Sequence, residues 1–221
     1  IALLMLNLTQ AMPVADDPMS PDRLHRMIEA TRLAYRDRNA FVADPKFSDV
    51  PVETLLSQGY ANALAANIDN NRAADLLPPP GLPRHDDTVY ISVVDGDGNA
   101  CSFINSLFKG FGSGIAANSG IVLQNRGFGF VLEDGHPNCI APGKRPMHTI
   151  IPGMLSKNGR AVMPFGVMGG HYQPVGHSWL LSSILDHGLD PQEAMDLPRI
   201  SAYANQVEIE NGGSDALAAD L

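Results

Sequence analysis

The run Asp86-Asp87-Thr88-Val89-Tyr90-Ile91-Ser92-Val93-Val94-Asp95 decides how this chain reads. It sets a threonine at the mouth of an alternating apolar strand, directly after a segment rich in Pro, Gly and Asp. Such a threonine is inert while its nitrogen is in a peptide bond. If the bond from Asp87 is cut, Thr88 gains a free α-amine beside its hydroxyl, and nucleophile and base then sit on one residue. An α-amine has a pKa of about 8, well matched to general-base duty. The same hydroxyl can cut the chain beforehand, by attacking the Asp87 carbonyl and passing the acyl group from nitrogen to oxygen for water to hydrolyse. Taken alone, Asp87-Thr88 reads more readily as a β-favouring threonine entering a strand, so other residues must decide.

Upstream, Pro78-Pro79-Pro80-Gly81-Leu82-Pro83 fits neither helix nor inner strand. The stretch from Asn70 to Asp87 therefore reads as an exposed linker, where cutting is sterically easy. Three helices are predicted before it. The first runs from residue 1 to about 12. The second starts at Ser20-Pro21-Asp22, with a capping serine, a proline at the first helical position and an acid at the positive end of the dipole, and runs to about Asn39. The third spans about Val52 to Ile68. Downstream the pattern turns to strands: Val89 to Asp95, a turn through Asp95-Gly96-Asp97-Gly98-Asn99, and Ala100 to Leu107 running back. Ile121 to Gln124, Thr149 to Leu155, Ala161 to Phe165 and Gln206 to Glu210 are further predicted strands. A helix is predicted from about Val175 to His187, and a short one capped by Asp190-Pro191-Gln192-Glu193. Helices, then strands, then helices point to an α+β fold with helices stacked on packed sheets.

Composition narrows the function classes. The 221 residues carry a net charge of -9 and are 44% hydrophobic. A packed core is affordable, and a nucleic-acid partner is disfavoured, because phosphate binding needs clustered Lys and Arg. No stretch is long and apolar enough for a membrane span. Cys101 and Cys139 can pair, but two cysteines make no disulfide framework. His136, Cys139, His148, His171 and His177 fit no zinc spacing, so neither metal nor cofactor is expected. Gly110-Phe111-Gly112-Ser113-Gly114 misses both the dinucleotide and the P-loop pattern. Asn7-Leu8-Thr9 matches a glycosylation acceptor but lies in an apolar helix. Gly166-Val167-Met168-Gly169-Gly170-His171 lies between a strand and a helix. Paired glycines there let the backbone approach a ligand and aim N–H groups at an oxyanion, or simply form a flexible turn.

Taken in order, these motifs resemble the γ-glutamyltranspeptidase family of N-terminal-nucleophile hydrolases over nearly the whole chain. Ala34-Tyr35-Arg36-Asp37-Arg38, Ala43-Asp44-Pro45 and Val50-Pro51-Val52 look like the end of the family's large subunit. Thr88, Ser92 to Ala100, Phe111 to Ile115, Pro142-Gly143-Lys144-Arg145-Pro146, Gly169-Gly170 and Ala194 to Arg199 follow the small-subunit pattern. The resemblance implies a four-layer αββα sandwich, here truncated at both ends. Residues 1–87 would be large-subunit-like and 88–221 the small-subunit-like catalytic segment, together one domain. It implies self-cleavage between Asp87 and Thr88, acyl transfer through a threonyl ester, and an oxyanion hole supplied by Gly169 and Gly170. Ser106 falls where the family has a threonine that hydrogen-bonds the nucleophile.

The departures bear on substrate. The family's acid-bearing run, which grips a glutamyl α-amine, is replaced here by Asn125-Arg126-Gly127-Phe128-Gly129-Phe130. Phe108 stands where the family has a substrate-holding asparagine, and His148-Thr149 where it has a serine pair. A buried ammonium without a carboxylate is costly, so γ-glutamyl compounds are disfavoured. Arg126 is expected to attract a carboxylate, with Phe108 and Phe128 offering apolar contact. The chain is thus similar to the acylase branch of the family. The expected partners are a small acylated amide and the remainder of the two subunits. A true γ-glutamyltransferase is the alternative, and a non-catalytic fragment or binding module is a further one.

Overall fold

The computed structural model describes residues 1–74, 88–203, 206–212, 217 and 221. Asp87 and the proline-rich run before it lie outside the described residues. Helices and three antiparallel strand pairs make the described chain α+β. It forms two compact units: residues 1–41, 50–82 and 174–221, and residues 42–49 and 83–173.

The first unit is mainly helical. α1 (Ala2–Gln10) buries Leu4, Met5 and Leu8 and packs on α2 (Pro21–Phe41) and α4 (Gln58–Ala65). Asn7 does not present its amide to solvent for a sugar; its Nδ2 donates to Leu56 O at 2.9 Å. α2 begins as its sequence dictates, with Ser20 Oγ accepting from Arg23 N at 3.3 Å. Arg23 then pins α2 to α5 (Gln173–Leu185). Its guanidinium lies 4.0 Å over the Trp179 ring and donates to Ser183 Oγ at 2.9 Å. Burial pushes its pKa down to about 10, so the arginine stays charged, and such a desolvated cation–π contact is worth ~2 kcal/mol. α5 is buried on most of its circumference. Two of its serines donate within the helix, Ser178 Oγ to Pro174 O and Ser183 Oγ to Trp179 O, and the Ser182 Oγ accepts from Arg23 at 3.4 Å. α6 (Pro191–Asp196) carries the complete capping box between Asp190 and Glu193. β5 (Ile200–Tyr203) pairs with β6 (Gln206–Ile209).

The second unit holds two hairpins. β1 (Thr88–Val94) and β2 (Ala100–Ser106) pair in a register that sets Thr88 opposite Ser106. Their turn is closed by Asp95, whose carboxylate accepts from Asn99 N, Asn99 Nδ2 and Asp97 N. β3 (Gly153–Lys157) and β4 (Arg160–Phe165) are joined through Asn158 and Gly159, both at positive φ, as a two-residue hairpin of right-handed twist requires. Ser102 Oγ ties β2 to β4 by donating to Phe165 O at 3.1 Å. On the first hairpin, Thr88, Tyr90, Ile104 and Ser106 share the covered face, while Val89, Ile91, Val93 and Phe103 are exposed.

Three sequence expectations are corrected, and one strand was not foreseen. The helix predicted over Val52–Ile68 is two, α3 (Val52–Leu55) and α4, because Ser57 adopts extended backbone and caps α4 by accepting from Tyr60 N. Ile121–Gln124 is no regular strand. It makes a single bridge, Ala116 to Val122, and is laced to the preceding loop by Ser113 N→Leu123 O and Leu123 N→Ile115 O. The strand predicted from Thr149 begins only at Gly153, since side chains and not a ladder hold the residues before it. β5 went unpredicted because its four residues follow Pro198 with no alternation long enough to read. Cys101 and Cys139 are free thiols. Among the described residues no helix is long and apolar enough to cross a membrane.

His177 on α5 is 4% exposed, and burial lowers its pKa from 6.5 to about 4. The unfolded chain therefore binds this proton near pH 6.5 and the folded one only near 4. Stability from a neutral buried imidazole is then lost as pH falls through that window. Thermal melts from pH 7 down to 4.5 are expected to fall more steeply for the wild type than for His177→Gln.

Candidate active site

Thr88 is the first residue of β1 and is 8% exposed. Its Oγ1 is buried and makes no hydrogen bond. An unsatisfied buried hydroxyl costs about 1–3 kcal/mol, so a purely structural threonine here would be better replaced by valine. Opposite it, Ser106 closes β2, and its Oγ accepts from Phe108 N at 3.1 Å. The register thus brings the two sequence-predicted hydroxyl residues together.

Phe108 turns the chain away from β2 at φ 83°, a conformation that a bulky residue adopts at a cost of about 1–3 kcal/mol. Asn125 holds the bend. Its Oδ1 accepts from Lys109 N, and its Nδ2 donates to Lys109 O and Gly112 O. The Phe108 side chain is buried. The Arg126 guanidinium lies 5.3 Å over its ring, and the His171 ring meets it edge-on at 5.9 Å and 81°.

Arg126 opens a 3-10 turn (Arg126–Gly129) and is 7% exposed. It donates from Nη1 to Thr149 Oγ1 at 3.1 Å and from Nη2 to Ser106 O at 3.4 Å. A permanent cation is thereby fixed beside the strand end that faces Thr88. Thr149 is buried with it, whereas His148 alternates to the solvent side. Desolvation of the His148 ring, then the charges of Arg126 and Arg145, push its pKa below the ordinary value. Phe128 is 71% exposed; it stacks with the Lys109 ammonium and lines no enclosed wall here.

The glycine loop leaves β4 at Phe165. A Cβ on Gly166 would sit 2.2 Å from the Tyr90 ring, so only glycine lets this strand end close on β1. Gly169 (φ 112°) and Gly170 (φ 53°) both take the left-handed region. They lead into the 3-10 turn Gly170–Tyr172 and then α5, so their N–H groups belong to a helical start, where donors are left without intrahelical acceptors. Ser106 stands opposite Thr88, its Oγ accepts from Phe108 N, and the Phe108 ring meets His171, the residue after Gly170 in the chain. The sequence reading weighed His171 only as a metal ligand and gave Asn125 no role. The signal it missed was their position, one residue after the glycine pair and one before Arg126.

Among the described residues, this part of the chain holds a buried hydroxyl at Thr88, a second hydroxyl opposite it, two left-handed glycines and a buried cation. Adding one methyl at Gly166 is expected to destabilise the protein by about 1–3 kcal/mol through the clash with Tyr90. A Tm for Gly166→Ala equal to the wild type's would show that the strand end closes differently.

Comparison with known proteins follows this geometry. The family profile described as gamma-glutamyltranspeptidase matches residues 1–221. The glutathione hydrolase-like YwrD proenzyme of Bacillus subtilis is 41% identical over 176 residues, covering 79% of this chain and 33% of that protein. The oxamate amidohydrolase proenzyme of Klebsiella pneumoniae is 38% identical over 200 residues, 90% of this chain and 37% of that protein. The crystal structure of cephalosporin acylase from Bacillus halodurans superposes with a TM-score of 0.86 at 40% identity, over 99% of this chain and 40% of that one. The chain thus spans about a third of the curated relatives' length.

Proposed function

The chain belongs to the γ-glutamyltranspeptidase family, and from that premise we propose that Thr88 is the nucleophile of a self-processing amide hydrolase or acyltransferase. The observation that carries this reading is the buried Thr88 hydroxyl with no hydrogen-bond partner, in register with Ser106. Such a group is costly to fold, and a catalytic role is one of the few accounts of it. The relatives named as proenzymes support processing, and the acylase and amidohydrolase among them support amide cleavage.

In the proposed sequence, Thr88 Oγ1 first attacks the Asp87 carbonyl carbon. The peptide nitrogen leaves as the α-amine of Thr88, and water hydrolyses the ester that remains. The freed amine then takes the hydroxyl proton as Oγ1 attacks a substrate amide. The developing oxyanion meets N–H groups of Gly169 and Gly170, a contribution worth about 3–4 kcal/mol per donor in comparable sites. The leaving amine takes the proton back, and water or a second amine resolves the threonyl ester. Ser106 stands opposite Thr88 but makes no hydrogen bond to Oγ1 in the uncut chain; in the proposed sequence it receives that hydroxyl once the α-amine is free.

Thr88→Ala in the full-length protein is expected to stay whole by intact mass spectrometry and to show no turnover, while the wild type yields a fragment beginning at Thr88. A folded wild type that stays uncut would favour the non-catalytic reading.

Arg126, Phe108, His148 and Thr149 are the proposed substrate-binding residues. A cation fixed over a buried aromatic ring favours an acyl chain that ends in a carboxylate and repels an ammonium. Glutaryl anilide is therefore expected to be turned over in preference to γ-glutamyl anilide. Arg126→Met should raise KM for the glutaryl compound on the order of tenfold or more. Preferred turnover of the γ-glutamyl compound would assign the chain to true γ-glutamyltransferases instead.

A further inference from the structure

Residues 145 to 151 belong to no helix and no sheet. Their backbone and side chains are fastened at every second residue by other side chains. Arg145 N donates to Asp44 Oδ2 at 2.9 Å. Met147 N donates to Asn138 Oδ1 at 3.2 Å. Thr149 Oγ1 accepts from Arg126 at 3.1 Å, and Ile151 N donates to Gln173 Oε1 at 3.2 Å. The segment also passes tightly over the Arg126 turn, for a Cβ on Gly129 would lie 3.0 Å from Met147 O. In a segment with no ladder, these four anchors set where Thr149 sits.

The first anchor is the strongest. Arg145 adds Nε to Asp44 Oδ2 at 3.2 Å and Nη2 to Oδ1 at 2.9 Å, a bidentate grip on a carboxylate that is 1% exposed. The hydrogen bonds from the Arg145 side chain, then from its backbone, hold the Asp44 pKa well below the usual carboxylate range. Asp44 precedes the proposed cut, and Arg145 follows it. Residues 42–49 nonetheless belong to the same compact unit as residues 88–173, while residues 41 and 50 do not.

We infer that Asp44 is a positioning residue for substrate recognition: through Arg145 it fixes the register of residues 145–149 and so holds Thr149 against Arg126. This rests on the reading of Arg126 as the carboxylate-binding cation. After the chain is cut before Thr88, Asp44 is no longer joined to the catalytic piece by the intervening peptide. The pair then becomes a noncovalent clamp between the two pieces.

The test measures KM and kcat of the processed full-length protein for glutaryl anilide and for its uncharged counterpart, pentanoyl anilide. Asp44→Asn is expected to raise KM for the glutaryl compound about tenfold, with kcat within about threefold of wild type and KM for the pentanoyl compound unchanged. Processing at Thr88 should persist. An unchanged glutaryl KM, or an equal rise for both compounds, would overturn the inference. A wild type that itself shows no preference for the glutaryl compound would instead sink the reading of Arg126. Should Asp44→Asn fail to fold, Arg145→Lys decides. It keeps the main-chain donor and one charged contact, so a selective rise of about threefold is expected, and an unaltered glutaryl-to-pentanoyl ratio of KM values would refute the clamp.

Discussion

The register of the β1–β2 hairpin is the constraint on which the site depends. Side chains alternate along a strand, so a slip of one residue would carry Thr88 to the opposite face and leave Ser106 without a counterpart. The turn prevents that slip. Asp95 spends its carboxylate on the turn's own N–H groups, and Gly98 supplies the positive φ that closes it. Seven residue pairs follow in unbroken register from Val94 and Ala100 to Thr88 and Ser106. A turn at one end of the hairpin thus places a hydroxyl at the other, roughly 20 Å away along the strand.

The covered face of this hairpin mixes polar and apolar side chains. It carries Thr88, Tyr90, Ser102, Ile104 and Ser106, while Val89, Ile91, Val93 and Phe103 lie on the exposed face. The covered polar groups are not idle. The Tyr90 hydroxyl meets Ser102 Oγ at 3.1 Å, and Ser102 reaches on to β4. Against that satisfied background the Thr88 hydroxyl stands out as an exception, and a buried polar exception points to chemistry more than to stability.

Much of this was legible in the sequence, and the rest was hidden for identifiable reasons. Ser20, Asp190 and Glu193 announced their helices because capping is local, and the structure places each as read. The hairpin turns at Asp95 and Asn158 were equally local. The break at Ser57 was not, because an apolar periodicity over Val52–Ile68 survives a one-residue interruption that only the backbone reveals. Alternation told that Val89 to Val94 is a strand but not which face is covered. The site residues divide the same way. Ordered motifs singled out Thr88 and Ser106, and the hairpin register sets them opposite one another, whereas only the Phe108–His171 ring contact ties the loop after Gly169 and Gly170 to the end of β2. The Arg126–Thr149 bond joins residues 23 apart in a segment with no ladder, and no periodicity in the chain encodes it.

Phe108 and Arg126 carry related costs. One holds a strained backbone and the other a buried cation, and each lowers the cost of the other. The ring gives the guanidinium an electron-rich face in place of water, and the guanidinium and His171 fill the space around a ring that the bend would otherwise expose. Neither gain explains why the pair is there at all. An asparagine or glycine would adopt φ 83° with less strain, and a neutral residue at position 126 would avoid desolvating a charge. Two unfavourable choices made at neighbouring places, beside a hydroxyl left unsatisfied, follow the tendency of backbone strain and buried polarity to collect at functional sites rather than in a core built for stability.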